Sequence, residues 1–240
     1  MKRKARTIWI FSAILILACA SSSPVERFKG ELNKYPEYSI ILEDQREEGN
    51  FFKDYHHRYK VVYAEKLEGS GDSLAYQSEI TDWQEVPKKE YQKYYPYLGM
   101  VIASKSQDGK ISDSQSPPGY QYVGDSRYGN WRRDESGNSF WEFYGKFAFF
   151  SHMFGMFGRP IYRNNWDTYR DYRSTGRPYH GPDRQYGTNG THTQRTNKTF
   201  FERKSQKEAQ RKARFSERVK QRTRRSKMSG TRSRSGGFGK

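Results

Sequence analysis

The chain has 240 residues, and its 33% hydrophobic content lies well under the ~45–50% apolar usage of ordinary globular chains, which argues against one large continuous core. Lys plus Arg number 44 against 27 Asp plus Glu, for a formal charge of +17, and the excess is confined to one end. Residues 1–158 hold 21 basic and 21 acidic side chains and residues 159–240 hold 23 and 6, so polyanion chemistry belongs to the last third alone.

Met1 to Arg6 carries four positive charges, and Ile8 to Ala20 is an apolar run without one charge. This is the layout of a secretory signal, and at 13 residues the run is shorter than the ~20 residues that span a bilayer. We expect residues 1–18 to be removed on export. The single cysteine, Cys19, ends the run and is followed by Ala20, three serines and Pro24.

Ile16-Leu17-Ala18-Cys19 resembles the lipobox of bacterial lipoproteins, over roughly the first 24 residues of the chain. It departs from the commonest pattern at Leu17, where a small residue is usual, and fits it at Ala18. The resemblance implies that the Cys19 thiol receives a diacylglycerol, that cleavage falls before it, and that the new amino terminus is acylated. Two or more chains anchor stably where one binds only marginally. Ala20 after the cysteine implies transfer to the periplasmic face of the outer membrane. Ala18-Cys19-Ala20 also suits the ordinary signal peptidase, which would release a soluble protein. With one cysteine, disulfides within the mature chain are excluded.

Residues 19–35 read as a lipidated polar tether. Residues 36–112 read as a small α+β domain. Tyr38 to Asp44 and Tyr55 to Ala64 predict a hairpin about a Gly49-Asn50 turn, and a third extended piece surrounds Ile80 to Trp83. A short helix follows Val86-Pro87 and ends before Pro96, and an apolar strand over Tyr97 to Ala103 is closed by Gln107 to Lys110.

Residues 113–158 form a glycine and aromatic segment that resembles only uncharacterised bacterial envelope proteins. Twelve of the eighteen residues from Phe140 to Phe157 are aromatic, Met or Ala, which predicts an apolar helix, either buried against the α+β unit or lying on a lipid surface. Residues 159–240 read as a basic, largely disordered tail, because Ile161 and Val219 are its only aliphatic Ile, Leu or Val residues. Within it, Phe201 to Arg225 predicts a transient basic helix.

No nucleophile elbow, phosphate-binding glycine loop or zinc-ligand spacing occurs, so neither a catalytic residue, a metal nor a cofactor is expected. His56 and His57, adjacent in a strand, face opposite ways and cannot easily share a metal. The expected function is binding. Arg211, Lys212, Arg214, Arg218, Lys220, Arg222, Arg224 and Arg225 would grip an anionic glycan or lipid headgroup, and the folded part would meet an envelope protein. Two other readings remain open at this point. One is an envelope enzyme acting on glycan in a cleft built from Trp131, Trp141 and Asp134. The other is a cytoplasmic nucleic-acid binder, should the signal go unused.

Overall fold

The computed structural model describes residues 23–49, 52–66, 74–155 and 160–232. Its class is α+β, with helices packed on two antiparallel sheets. Pro24 opens helix α1 (Pro24–Leu32) at a position where its missing N–H costs nothing. Val25, Phe28 and Leu32 recur at helical spacing, and Val25 and Leu32 are buried against the sheet. The predicted tether is thus corrected: from Pro24 onward it is a packed helix, while residues 19–22 lie outside the described residues.

The larger sheet starts with the long hairpin of β1 (Tyr38–Glu48) and β2 (Asp54–Lys66). Gly49 takes φ +83°, and a Cβ there would meet the Phe52 carbonyl oxygen at 1.9 Å, so only glycine suits this end of the turn. β3 (Leu74–Ile80) and β4 (Gln84–Glu85) both pair with β2. Helix α2 (Lys88–Tyr94) is followed by β5 (Val101–Lys105) and β6 (Ile111–Ser112), which complete the order β3-β2-β1-β5-β6.

Both faces of this sheet are covered, which is why β1 is buried almost continuously over its first eight residues. Tyr38, Ile40, Leu42, Tyr59, Val61 and Ile102 meet α1 and Tyr94 of α2 on one side. Ile41, Val62 and Val101 face the opposite side and meet an aromatic layer built from the second half of the chain.

That layer contains the smaller sheet of β7 (Gly129–Arg133), β8 (Ser139–Phe143) and β9 (Ile161–Tyr162), with helices α3 (Phe149–Met153) and α4 (Arg163–Ser174). The single apolar helix expected over Phe140 to Phe157 is corrected accordingly. Its first part is a strand, because Asp134 closes a hairpin turn by accepting from the Ser136 and Asn138 N–H groups at 3.0 and 2.8 Å. Among the described residues of this run the 3-10 turn Gly145–Phe147 and the short α3 are helical, and Phe150 of α3 is fully buried among Tyr76, Tyr122, Tyr128, Phe143 and Phe147.

The C-terminal third carries more order than its composition suggested. In the segment 160–200, Ile161, Tyr169, Tyr179, Tyr186, Thr188, Thr193 and Phe200 are all buried. Tyrosine and phenylalanine rings supply the apolar area that the missing aliphatic residues would have given. Gly124 admits one of these contacts: it takes φ +85°, and a Cβ there would lie 2.1 Å from the Trp166 indole. The short helix α5 (Thr191–Thr196) then leads into α6 (Lys198–Arg232), which covers the predicted basic helix and extends it at both ends.

Candidate anionic-partner interface

The base of α6 is fixed by contacts across very long sequence separations. Asn197 donates from its side-chain amide to the Glu43 carbonyl at 2.7 Å, and Phe200 is buried. Arg203 then donates to Asp44 Oδ1 at 2.5 Å, while Arg58 lies 3.7 Å from Asp44 Oδ2. Asp44 is nearly inaccessible, so the two guanidiniums supply the counter-charge that a buried carboxylate needs. One turn further on, Lys207 reaches Glu47 at 3.1 Å. Burial alone would raise the Glu47 carboxyl, but the ammonium groups of Lys53 and Lys207 hold it below its ordinary value.

Trp83 gathers three guanidiniums around its ring, with Arg46, Arg58 and Arg203 at 4.2, 5.0 and 5.8 Å from the centroid. Beside this cluster a cavity of about 580 Å³ runs between the end of β1, Tyr91, Tyr95 and the first turns of α6. Sequence reasoning missed this docking station altogether. Asp44 and Arg203 lie 159 residues apart, and no local pattern connects them.

Gln210 and Arg211 still line the cavity beside Trp83, and past them α6 leaves the body of the protein. Arg211, Lys212, Arg214, Arg218, Lys220, Arg222 and Arg224 are all exposed. Among the described residues no carboxylate pairs with any of them, and Arg218 reaches only the Arg214 carbonyl, at 3.4 Å. At ~100° per residue Arg211, Arg214, Arg218 and Arg222 fall on one stripe, some 16 Å long, while Lys220 and Arg224 sit on the far side. The helix therefore brings four of the predicted residues to one face and separates the others. Arg225 and Cys19 lie outside the residues whose side chains are described.

The groups proposed for a glycan cleft are occupied differently. Trp131 and Trp141 pack edge to face at 5.2 Å, Trp141 is buried, and Asp134 serves the hairpin turn. Glu142 is paired with Arg132 at 2.6 Å, and Asp125 with Arg127. A separate cavity of about 780 Å³ between Gln121, Arg127 and α4 has balanced charge, Lys110, Arg127, Arg170 and Arg173 facing Asp108, Asp125, Asp167 and Asp171.

One buried carboxyl was not foreseen. Glu37 accepts from the hydroxyls of Tyr76 and, at 2.8 Å, Tyr128. Burial raises its pKa, and the two phenol donors oppose that rise. His57 is fully enclosed, stacked on Tyr91 at 5.4 Å, with Nδ1 3.0 Å from the Tyr59 hydroxyl, whereas His56 on the opposite face is partly exposed. Among the described residues no three His, Cys, Asp or Glu side chains converge as a metal site, and no helix is long and apolar enough to cross a membrane. No family model matches the chain, and neither a curated protein nor a solved structure matches it.

Proposed function

We propose that this chain is a lipid-anchored protein of the bacterial cell envelope, held on a membrane through acylated Cys19, whose α6 arm binds an anionic component of that envelope. The observation that carries the reading is the distal half of α6, where seven exposed cations stand without a carboxylate partner among the described residues. Such a helix has too few apolar side chains to hold it against the folded body. Its charge is satisfied by water and mobile anions until a polyanion displaces them. The docked base fixes where the arm leaves the folded body, so the cationic stripe is presented and not folded back onto residues 19–158, which hold 17 basic and 21 acidic side chains.

Two measurements test this. Metabolic labelling with a fatty acid should mark the wild type and fail on Cys19→Ser, with membrane association lost in parallel. Label-free cleavage would make the protein soluble and secreted, and an uncleaved cytosolic product would return it to nucleic-acid binding. The full chain should also bind a phosphate-bearing polyanion such as polyphosphate with an affinity that falls as salt rises. Changing Arg211, Arg214, Arg218 and Arg222 together to Gln should make the log–log salt slope shallower by about 3 to 4. An unchanged slope would overturn the role of α6.

A further inference from the structure

We infer that the anionic partner of α6 is the phosphate surface of a bilayer, onto which the distal helix lies with Phe215 and Val219 entering the headgroup region. The inference rests on the cationic-arm reading above and narrows its partner to one class. Phe215 is 67% exposed and Val219 45% exposed, and they are the only large apolar side chains of α6 between Glu202 and Lys227. They stand four residues apart and so share a face.

Projected at ~100° per residue, Arg211, Lys212, Arg218 and Arg222 all fall within roughly 60° of Phe215, on both sides of the apolar pair. Glu208 is the acidic residue of that sector, and it lies at the end nearest the folded body. Ala213, Lys220 and Arg224 occupy the opposite face. An aromatic and a β-branched residue flanked on each side by long cationic side chains match the chemistry of an interface. The rings and methyl groups leave water for the acyl boundary, and the guanidinium and ammonium heads reach up to the phosphates. A soluble polyanion offers the charges their partners but leaves Phe215 and Val219 in water.

The experiment uses the full chain carrying Cys19→Ser, so that a single introduced cysteine can hold an environment-sensitive fluorophore. One version places the probe by Val219→Cys and a second by Ala213→Cys on the opposite face. Recruitment through the N-terminus brings both probe positions to the membrane alike, so the contrast between them reports on α6 alone. Each version is titrated with vesicles of phosphatidylglycerol and phosphatidylcholine, with phosphatidylcholine alone, and with polyphosphate.

The expected result is a blue-shifted probe at 219 on anionic vesicles, a probe at 213 that stays in a water-like environment, and apparent affinity at least about tenfold weaker for neutral vesicles. Phe215→Ala with the probe at 219 should weaken the anionic-vesicle response about tenfold, since it removes most of the apolar area that enters the interface. Equal shifts at 213 and 219, or a shift at 219 with polyphosphate as large as with vesicles, would overturn the bilayer and leave the polyanion reading standing. No response to vesicles or to polyphosphate would overturn both.

Discussion

His57 makes stability depend on pH in a way that can be worked out and tested. Its ring is fully enclosed by Tyr59, Tyr91 and Tyr94. Burial, reinforced by the neighbouring His56, lowers its pKa to about 3, from 6.5 for an ordinary histidine. Above pH 6.5 the ring is neutral in both the folded and the unfolded chain and costs nothing. Below 6.5 the unfolded chain takes up a proton that the folded chain refuses. The stability His57 permits is therefore fully present above 6.5 and is lost as the pH falls toward 3.

At pH 4.5 the gap to 6.5 is two units, and at about 1.4 kcal/mol per unit the loss is about 3 kcal/mol. The assay is urea unfolding followed by tryptophan fluorescence at pH 7.5 and 4.5, for the wild type and His57→Gln. Gln keeps a polar partner for the Tyr59 hydroxyl and cannot titrate. The carboxyls also respond over this interval, Glu37 with a raised pKa and Glu47 with a lowered one, but they are common to both proteins and cancel in the difference. The wild type should lose about 3 kcal/mol more than the variant on acidification. Parallel losses in the two proteins, or a His57 ring that titrates near 6.5 by NMR, would refute the reasoning.

Two further substitutions probe the aromatic layer and the base of α6. Phe150→Ala removes a fully buried ring that touches seven other aromatic residues, and it should cost about 3 to 5 kcal/mol in urea unfolding. A cost below about 1 kcal/mol would mean the layer is not the packed core described above. Asp44→Asn takes away the charge that Arg58 and Arg203 share, and it should destabilise by about 1 to 3 kcal/mol. In hydrogen exchange the effect should appear as faster exchange over residues 198–207, with residues 211–224 unchanged.

The first half of the fold was legible because its signals are local. The hairpin of β1 and β2 follows from β-branched and aromatic runs on either side of a Gly-Asn turn, and β5 follows in part, since of the run Tyr97 to Ala103 only Val101 onward is strand and Tyr97 closes a 3-10 turn. Helix α1 was missed because its apolar stripe is only three residues wide and sits in a charged, proline-led stretch that also reads as a linker. The sequence predicts helix at β8 because Phe140 to Phe157 is apolar nearly throughout. A run without periodicity cannot separate strand from helix, and the deciding feature was the Asp134 turn that sets Ser139–Phe143 against β7. The C-terminal third was misjudged by counting aliphatic residues. Tyr120, Tyr169 and Tyr179 pack against one another with centroids 5.5 to 6.0 Å apart, so tyrosine does there what leucine does in most cores.

The candidate site divides at Arg211, the last residue of α6 to line the cavity beside Trp83, and the reasons for its partial legibility divide there too. The distal cations were visible in the sequence because charge and helix-forming composition are additive local properties, and exposure needs no partner. The proximal latch was invisible because Asp44, Glu47 and Trp83 come from the sheet and its connections, and nothing periodic links them to Arg203 and Lys207. This separation has a functional consequence. Substitutions in Arg203 or Asp44 act on how firmly the arm is rooted, whereas substitutions in Arg214 to Arg224 touch no buried group and should leave unfolding within about 0.5 kcal/mol of the wild type. A distal variant that lost binding at unchanged stability would assign the cations to a partner. One that lost both would mean that the distal helix packs on the body after all.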